Sequence, residues 1–371
     1  MNNVSIVVEQ NLCMGCGTCK SICQLNAIKM VRSLADYIIS KINFDLCTDC
    51  GQCLKVCPGI GLPKSVIEKF KDIFRGNNIS AYIGRATDNE LWQNGQSGGV
   101  VSALLLFLIE NKIIDSAIVN SFDIENKRPY VRKAYNKKEI IESQGSYYTQ
   151  TPVNEISIEK AYCEEKYAAV VLGCQAQGIY SAKELFIKSK YPEYLIGLIC
   201  SGTQSGLIID DLINKSGIKN PKDINYFRFK NKRYYKWPGN VLLKSSNQEF
   251  IIDSKERLAL KDIYGVYRCQ CCFDQMNIFS DIVVGDPWKI NAENLEKGLS
   301  IFIARTQKGK ELIEQAKSEK YIYCNEIAIE EIYKGQTVDN RLKSQFFYSK
   351  MICEKENMSF PKYDIDFSSY K

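Results

Sequence analysis

Eight cysteines near the start of the chain fall in two runs of one kind: Cys13-x2-Cys16-x2-Cys19-x3-Cys23, then Cys47-x2-Cys50-x2-Cys53-x3-Cys57, followed by Pro58. Three thiolates two residues apart can wrap one face of a four-iron cube within a tight loop. A fourth, separated by three further residues, reaches the cube of the other run. On that rule Cys13, Cys16, Cys19 and Cys57 hold one 4Fe-4S cluster, and Cys23, Cys47, Cys50 and Cys53 hold a second. Gly15, Gly17 and Gly51 suit loops whose backbone must approach sulfur closely. Gln24 stands where the first run would match Pro58. A zinc ribbon or a disulfide scaffold would use four cysteines in two pairs, or scattered spacings.

The 371 residues are too many for such a unit alone and leave room for further domains with cores of their own. Sixteen cysteines and a start that is polar, then only briefly apolar, lead us to expect a reducing cytoplasm. The longest apolar run, residues 100–109, is well short of the ~20 residues that span a bilayer. Histidine is absent, which removes the commonest acid-base group and metal ligand. Histidine triads, Rieske clusters and histidine-ligated haem are thereby excluded. The net charge of +6 suits a cofactor or partner bearing phosphates or carboxylates, without requiring nucleic acid.

Apolar patterning predicts strands at residues 4–8, 27–30 and 37–42 in the cysteine-rich unit, and a helical connector over 64–74. Residues 1–62 form the cluster unit on this reading, 63–78 the connector, 79–312 the main domain and 313–371 a helical tail. The main domain alternates short strands (80–84, 116–120, 130–135, 167–172, 194–199) with helices, the first at 100–112, which predicts an α/β layer with a partly parallel sheet.

Three further features could carry chemistry. Asn94 to Gly99 (NGQSGG) runs into an apolar helix, whose open N–H groups would bind phosphate; taken alone, the residues favour a plain glycine turn with Ser97 as N-cap. Cys174 and Cys200 each sit just past a strand, and Cys269-x2-Cys272 lies beyond a tyrosine-rich stretch. Cysteines at the carboxyl ends of neighbouring strands face one crevice, so these four form either a third cluster or a set of buried free thiols. Cys163, Cys271, Cys324 and Cys353 lack such settings and read as structural. Residues 226–237 (YFRFKNKRYYKW) interleave basic and aromatic side chains, as a solvated strand pair or a pocket for an acidic cofactor would.

The order of these signals resembles the beta subunit family of coenzyme F420 hydrogenases and dehydrogenases. The matches are Ser97-Gly98-Gly99, Ile114-Asp115, Gly145-Ser146-x-Tyr148, Cys174-Gln175, Cys200-x-Gly202, Phe227-Arg228-x-Lys230, Arg268-Cys269-x2-Cys272-x-Asp274, the stretch from Asp281 to Trp288, and Gly298-Leu299-Ser300. The resemblance implies a bacterial-type ferredoxin unit fused to a mixed-sheet α/β flavin-binding domain. It implies FAD lined by Ser97, Gly98, Gly99, Gly145, Ser146 and Tyr148, and a third 4Fe-4S cluster on Cys174, Cys200, Cys269 and Cys272. Arg228, Lys230 and Arg233 would meet acidic groups of a hydride donor such as coenzyme F420. The flavin would convert hydride to single electrons, which the clusters would pass to a downstream protein or small-molecule acceptor, with a partner subunit as one form of it. Two other readings keep part of this: the same cofactors serving a biosynthetic reduction without F420, for instance in polysaccharide assembly, and an electron-relay subunit with no flavin.

Overall fold

The computed structural model describes residues 1–158, 164–186, 189–232, 234, 236–246 and 248–364. In the cysteine-rich unit β1 (Ile28–Arg32) and β2 (Ile38–Ile42) pair antiparallel, close to the expected strands. Residues 4–8 are not a strand: Ser5–Glu9 is a short helix. Val4 and Val7, three apart, are both buried against the unit, and the Asn3 Oδ1 accepts the Ser5 N–H at 3.0 Å. The spacing of one helical turn outweighed the local β-branched preference.

The connector is helical only over Lys64–Ile67. Asp72 Oδ1 accepts the N–H groups of Phe74 and Arg75 at 2.8 and 3.2 Å, a local turn that competes with helix. Phe70 and Phe74 then insert separately, edge-on to Phe279 and Phe273. Before this segment, β3 (Gly61–Leu62) follows the last cysteine of the second run.

The main sheet draws on β4 (Ser80–Ala86), β5 (Ser116–Asp123), β6 (Arg128–Ala134), β7 (Tyr167–Val171) and β8 (Tyr194–Leu198). Next in the chain, β9 (Ile224–Asn231), β10 (Asn240–Ser245) and β11 (Glu249–Ile252) make a separate antiparallel sheet. The chain then returns to the main sheet with β12 (Ile282–Gly285), β13 (Ser300–Ala304) and β14 (Ile322–Glu326), and β15 (Lys362–Tyr363) pairs parallel with β3. The order across the eight strands is β14-β4-β13-β12-β8-β7-β5-β6. Its centre, β12-β8-β7-β5, is parallel and its flanks antiparallel. The mixed α/β sheet expected from the alternation is therefore present.

Residues beyond 312 are not purely helical. Helix Gln307–Ser318 runs across that position, and β14 completes the sheet edge before helices resume at Ile329. Strand alternation gives the sheet two buried faces: Ala117 and Val119 of β5 face the apolar helix Val100–Glu110, whereas Ile118 faces the other side. That other face shares one continuous core with the cysteine-rich unit, because Val4, Val7, Cys19 and Val56 pack in the same cluster as Val171, Ala176 and Val283. Asn154, wholly buried, donates to Thr18 Oγ1 at 2.8 Å and to the Gln175 carbonyl at 2.9 Å. The cysteine unit is thus fixed against the sheet, not tethered beside it.

Candidate metal centres and the adjoining crevice

The two cysteine runs are held by the same local device. Gly17 and Gly51 adopt the left-handed conformation immediately before short helices that carry Cys19 and Cys53. At Gly17 a side chain is excluded twice over, since a Cβ would also stand 2.8 Å from the Glu155 N. Cys13, Cys16, Cys19 and Cys57 line one cavity, closed by Val4, Val7, Met14, Met30, Ser40 and Pro58. Burial pushes all four thiols up, and each of Cys16, Cys19 and Cys57 also feels its neighbours' charge. Thiols so close and so dry would ionise together only with a cationic core among them. Among the described residues no three Cys, Asp or Glu side chains converge as a single-ion site requires. Four thiols around a cavity suit a polynuclear core instead.

In the second run, Cys53 is raised by burial and by the charges of Cys50 and Cys47, so these three are neighbours. Cys23 caps the helix Thr18–Ile22. Asn3, just before the first helix, donates to Asp49 at 2.8 Å and lies 3.9 Å from the Cys47 sulfur. Cys50 is exposed, so this set lies at the surface and the first set inside.

Cys174, Cys200, Cys269 and Cys272 line a further cavity together with Met14, Gln150, Thr151, Asp274 and Arg341. The sheet explains this meeting: Cys174 and Cys200 follow the carboxyl ends of the parallel neighbours β7 and β8. Met14 lies in the wall of both cavities, and Cys174 feels the charge of Cys16 across it. Burial pushes Cys200 up to about 12 and raises Cys174 well above its usual value. Burial also lifts Cys272, against Arg268 and Arg341, which pull it down. Two buried donors in this wall, Gln150 Nε2 and Arg341 Nε, have no hydrogen-bond partner. Orphaned N–H groups beside four thiols are what a cluster's sulfur atoms would satisfy, so the residues present fit such a group. Gln150 ends the polar turn 144–150, which by itself reads as an unremarkable loop, and Arg341 comes from residues expected to form only a tail.

Cys271 and Cys353 are buried, the Tyr267 hydroxyl lies 3.0 Å from the Cys353 sulfur, and Cys324 is buried in β14. Cys163 lies outside the described residues.

The glycine-rich segment near residue 97 meets the start of β13. The Gly98 N–H donates to Ser300 Oγ at 2.9 Å, and a Cβ on Gly98 would stand 2.5 Å from the Gly84 carbonyl. Gly99, left-handed, caps the helix Val100–Glu110, so Ser97 is not the N-cap. Lys232 Nζ donates to the Ser97 carbonyl, and Trp92 Nε1 donates to the Gly298 carbonyl at 2.7 Å. Beside them Lys230 pairs with Asp286 at 3.0 Å, and its ammonium lies 5.6 and 5.3 Å from the ring centres of Tyr148 and Trp288. Trp237 Nε1 donates to Asp286 at 3.4 Å and its ring tilts against Trp288 at 4.8 Å. Arg228 donates to the Gln144 carbonyl next to Gly145. Ser146 and Tyr148 are half-buried, and Arg233 lies outside the described residues.

The basic-aromatic stretch is thus not a solvated face, since Phe227, Phe229, Lys230 and Lys232 are all buried. Its two lysines differ. Burial alone pulls Lys232 down to about 7, with Asp286 only partly opposing it. Burial works against Lys230 as well, but Tyr148 and Asp286 outweigh it and hold the ammonium above its usual range. Lys232 and Trp237 fall in the basic-aromatic stretch and Asp286 and Trp288 in a matched stretch, but none of the four carried a role of its own in the sequence.

A fixed mixed sheet with a dicluster unit docked on it and four more thiols at its carboxyl edge defines an iron–sulfur oxidoreductase. Residues 81–157 match the model for the N-terminal part of the coenzyme F420 hydrogenase/dehydrogenase beta subunit, residues 164–330 match that for its C-terminal part, and residues 12–59 match a 4Fe-4S dicluster domain. The chain belongs to the coenzyme F420 hydrogenase/dehydrogenase beta subunit family. It is 26% identical over 82% of its length to a coenzyme F420-dependent sulfite reductase of Methanocaldococcus jannaschii, of which it spans only 46%. It is 25% identical over 75% of its length to the beta subunit of an F420-dependent formate dehydrogenase of the same organism, covering 70% of that protein. The coenzyme F420 hydrogenase beta subunit of Methanothermobacter thermautotrophicus is 26% identical over 75% of this chain and 95% of its own. In fold, the chain matches a subunit of the F420-reducing [NiFe] hydrogenase complex from Methanosarcina barkeri with a TM-score of 0.59 at 18% identity, covering 77% of this chain and 94% of that one.

Proposed function

We propose that the chain converts a hydride into single electrons. Ser97, Gly98, Lys232, Tyr148 and Lys230 would hold FAD, and Cys174, Cys200, Cys269 and Cys272 would hold a third 4Fe-4S cluster. The observation that carries this reading is the wall at Met14, where the third cavity and the inner cavity of the dicluster unit adjoin. A flavin supplies what clusters lack, acceptance of two electrons together and their release one by one. The third set adjoins the inner first set at Met14, Cys19 of that set feels the charge of Cys53, and the second set reaches the surface at Cys50. The protein's own part is placement: Gly98 lets the turn pack close on Gly84 and Ser300, the Trp237 and Trp288 rings offer aromatic surface, and Lys230 presents a fixed positive charge to an acidic donor. A deazaflavin such as coenzyme F420, on which the named relatives depend, is the donor this charge and these rings suit best.

Anaerobically purified protein should contain about twelve irons with matching acid-labile sulfide, and one FAD released on denaturation. Addition of reduced F420 should then bleach the flavin. About eight irons and no flavin would leave an electron-relay subunit in its place. Flavin with no response to the deazaflavin would transfer the same machinery to another hydride donor, as a biosynthetic reduction requires.

Lys232 gives this reading a proton signature. Its ammonium titrates near 7, so at pH 8 the side chain is mostly neutral. A phosphate group of FAD set against it would favour the charged form, and binding at pH 8 should take up close to one proton, falling toward zero at pH 6, where the lysine already carries it. Calorimetric titration of flavin into flavin-stripped protein in buffers of different ionisation enthalpy reads this number. A Lys232→Met protein that takes up the same proton at pH 8 would remove Lys232 from the phosphate site.

A further inference from the structure

Arg268 is 1% exposed and among the largest fully buried side chains of the protein. Its Nε donates to the Gly59 carbonyl at 3.1 Å and its Nη1 to the Cys271 carbonyl at 3.2 Å. Its Nη2 donates to the Pro58 carbonyl at 2.8 Å and to the Tyr363 hydroxyl at 2.7 Å. That hydroxyl donates in turn to the Cys271 carbonyl at 3.3 Å, and the pairing of β15 with β3 holds it there. Every one of these acceptors is neutral, and among the described residues no carboxylate forms an ion pair with Arg268.

A guanidinium removed from water without a counter-charge is costly, and carbonyl dipoles offset only part of that cost. The two backbones it binds show where the missing charge belongs. Pro58 and Gly59 directly follow Cys57 of the inner first set, and Cys271 lies between Cys269 and Cys272 of the third. A cluster held by four thiolates is net negative, more so when reduced. We infer that Arg268 is the fixed counter-charge shared by the inner first cluster and the third cluster, and that it raises the reduction potentials of both. The inference rests on the third cluster proposed above. Its chemistry is electrostatic: added electrons are stabilised by a cation already in place, in a dry setting where that interaction is strong. The outer second set has no share in Arg268. A lysine at 268 would keep the charge but lose the fork that ties the two loops.

The test is an anaerobic redox titration of the full chain, followed by electron paramagnetic resonance, for the native protein, Arg268→Gln and Arg268→Lys, with iron counted in each. In R268Q two of the three cluster signals should move to lower potential by at least a tenfold change in the ratio of reduced to oxidised cluster, about 59 mV for one electron, while the third signal stays put. R268K should retain most of the native values. Full iron with no shift in R268Q would overturn the inference, as would an equal shift of all three signals. Should R268Q lose iron, R268K decides: native potentials there uphold the role of the charge, and a tenfold fall there assigns Arg268 to packing alone. The iron count of the native protein tests the third cluster separately, because about eight irons there would remove that cluster whatever Arg268 does to the first.

Discussion

A Cys174→Ala protein is expected to fall from about twelve to about eight irons per chain, to keep its flavin, and to deliver electrons to a one-electron acceptor slower by on the order of 100-fold or more, because the flavin then has no adjoining one-electron carrier. Cys174 suits this test because it stands between two sites. It lines the cavity with Cys200, Cys269 and Cys272, and it feels the charge of Cys16 in the neighbouring set. Alanine removes one ligand while the rest of the wall, including Gln150 and Arg341, remains. Hydride acceptance should continue, since none of Ser97, Gly98, Lys230 or Lys232 touches that wall. Rapid mixing with a hydride donor, with and without an artificial acceptor, separates the two half-reactions. If iron falls by four while delivery is unchanged, the third set lies off the electron path, and the route must reach the dicluster unit elsewhere. A parallel loss of flavin would mean that the flavin crevice and the third cavity share structure.

The cysteine pattern was legible because ligand spacing is a local property: eight positions within 45 residues dictate loops of one shape whatever surrounds them. The strand-helix alternation was legible for a similar reason, since a buried parallel strand such as β7 is a short apolar run on any reading. Three features were hidden because they depend on residues distant in sequence. The helix Ser5–Glu9 is short, and Asn3, which accepts the Ser5 N–H just before it, is held by the distant Asp49, so local preference misread it. β14 is a sheet edge whose pattern, with Ile322 and Cys324 buried and Tyr323 exposed, is too brief to outvote the helices around it. The site's remaining polar members, Gln150, Arg341, Asp286 and Lys232, are ordinary surface-type residues whose meaning lies in burial. Family resemblance reached the stretch around Asp286, because motif order survives where contact information does not, yet it gave no reason for the residue. The structure supplies one: Asp286 is the carboxylate that balances Lys230.

That pair sets the second large effect. Lys230→Met is expected to destabilise the chain by about 3–5 kcal/mol, since breaking a buried ion pair strands the partner's charge. The Lys230 side chain is only 6% exposed and that of Asp286 18%, so water cannot easily take the lysine's place. The Trp237 N–H at 3.4 Å is a weak substitute for an ammonium at 3.0 Å. Lys232 also feels Asp286, but its amine is committed to the Ser97 carbonyl. The discriminating variant is the double one. Lys230→Met with Asp286→Asn removes both charges, and it should recover most of the lost stability, because a buried ion pair replaced as a whole is often nearly neutral. Urea midpoints of the anaerobic proteins, taken at equal iron content, measure the cycle. Function should separate from stability in the same two proteins. The double variant folds but lacks the positive charge at the crevice, so its KM for an acidic hydride donor should stay raised by about tenfold or more, the loss of one charge-assisted contact. A double variant with native KM would show that Lys230 holds Asp286 in place without meeting the donor, and the charge for the donor would then have to come from Arg228 or Lys232.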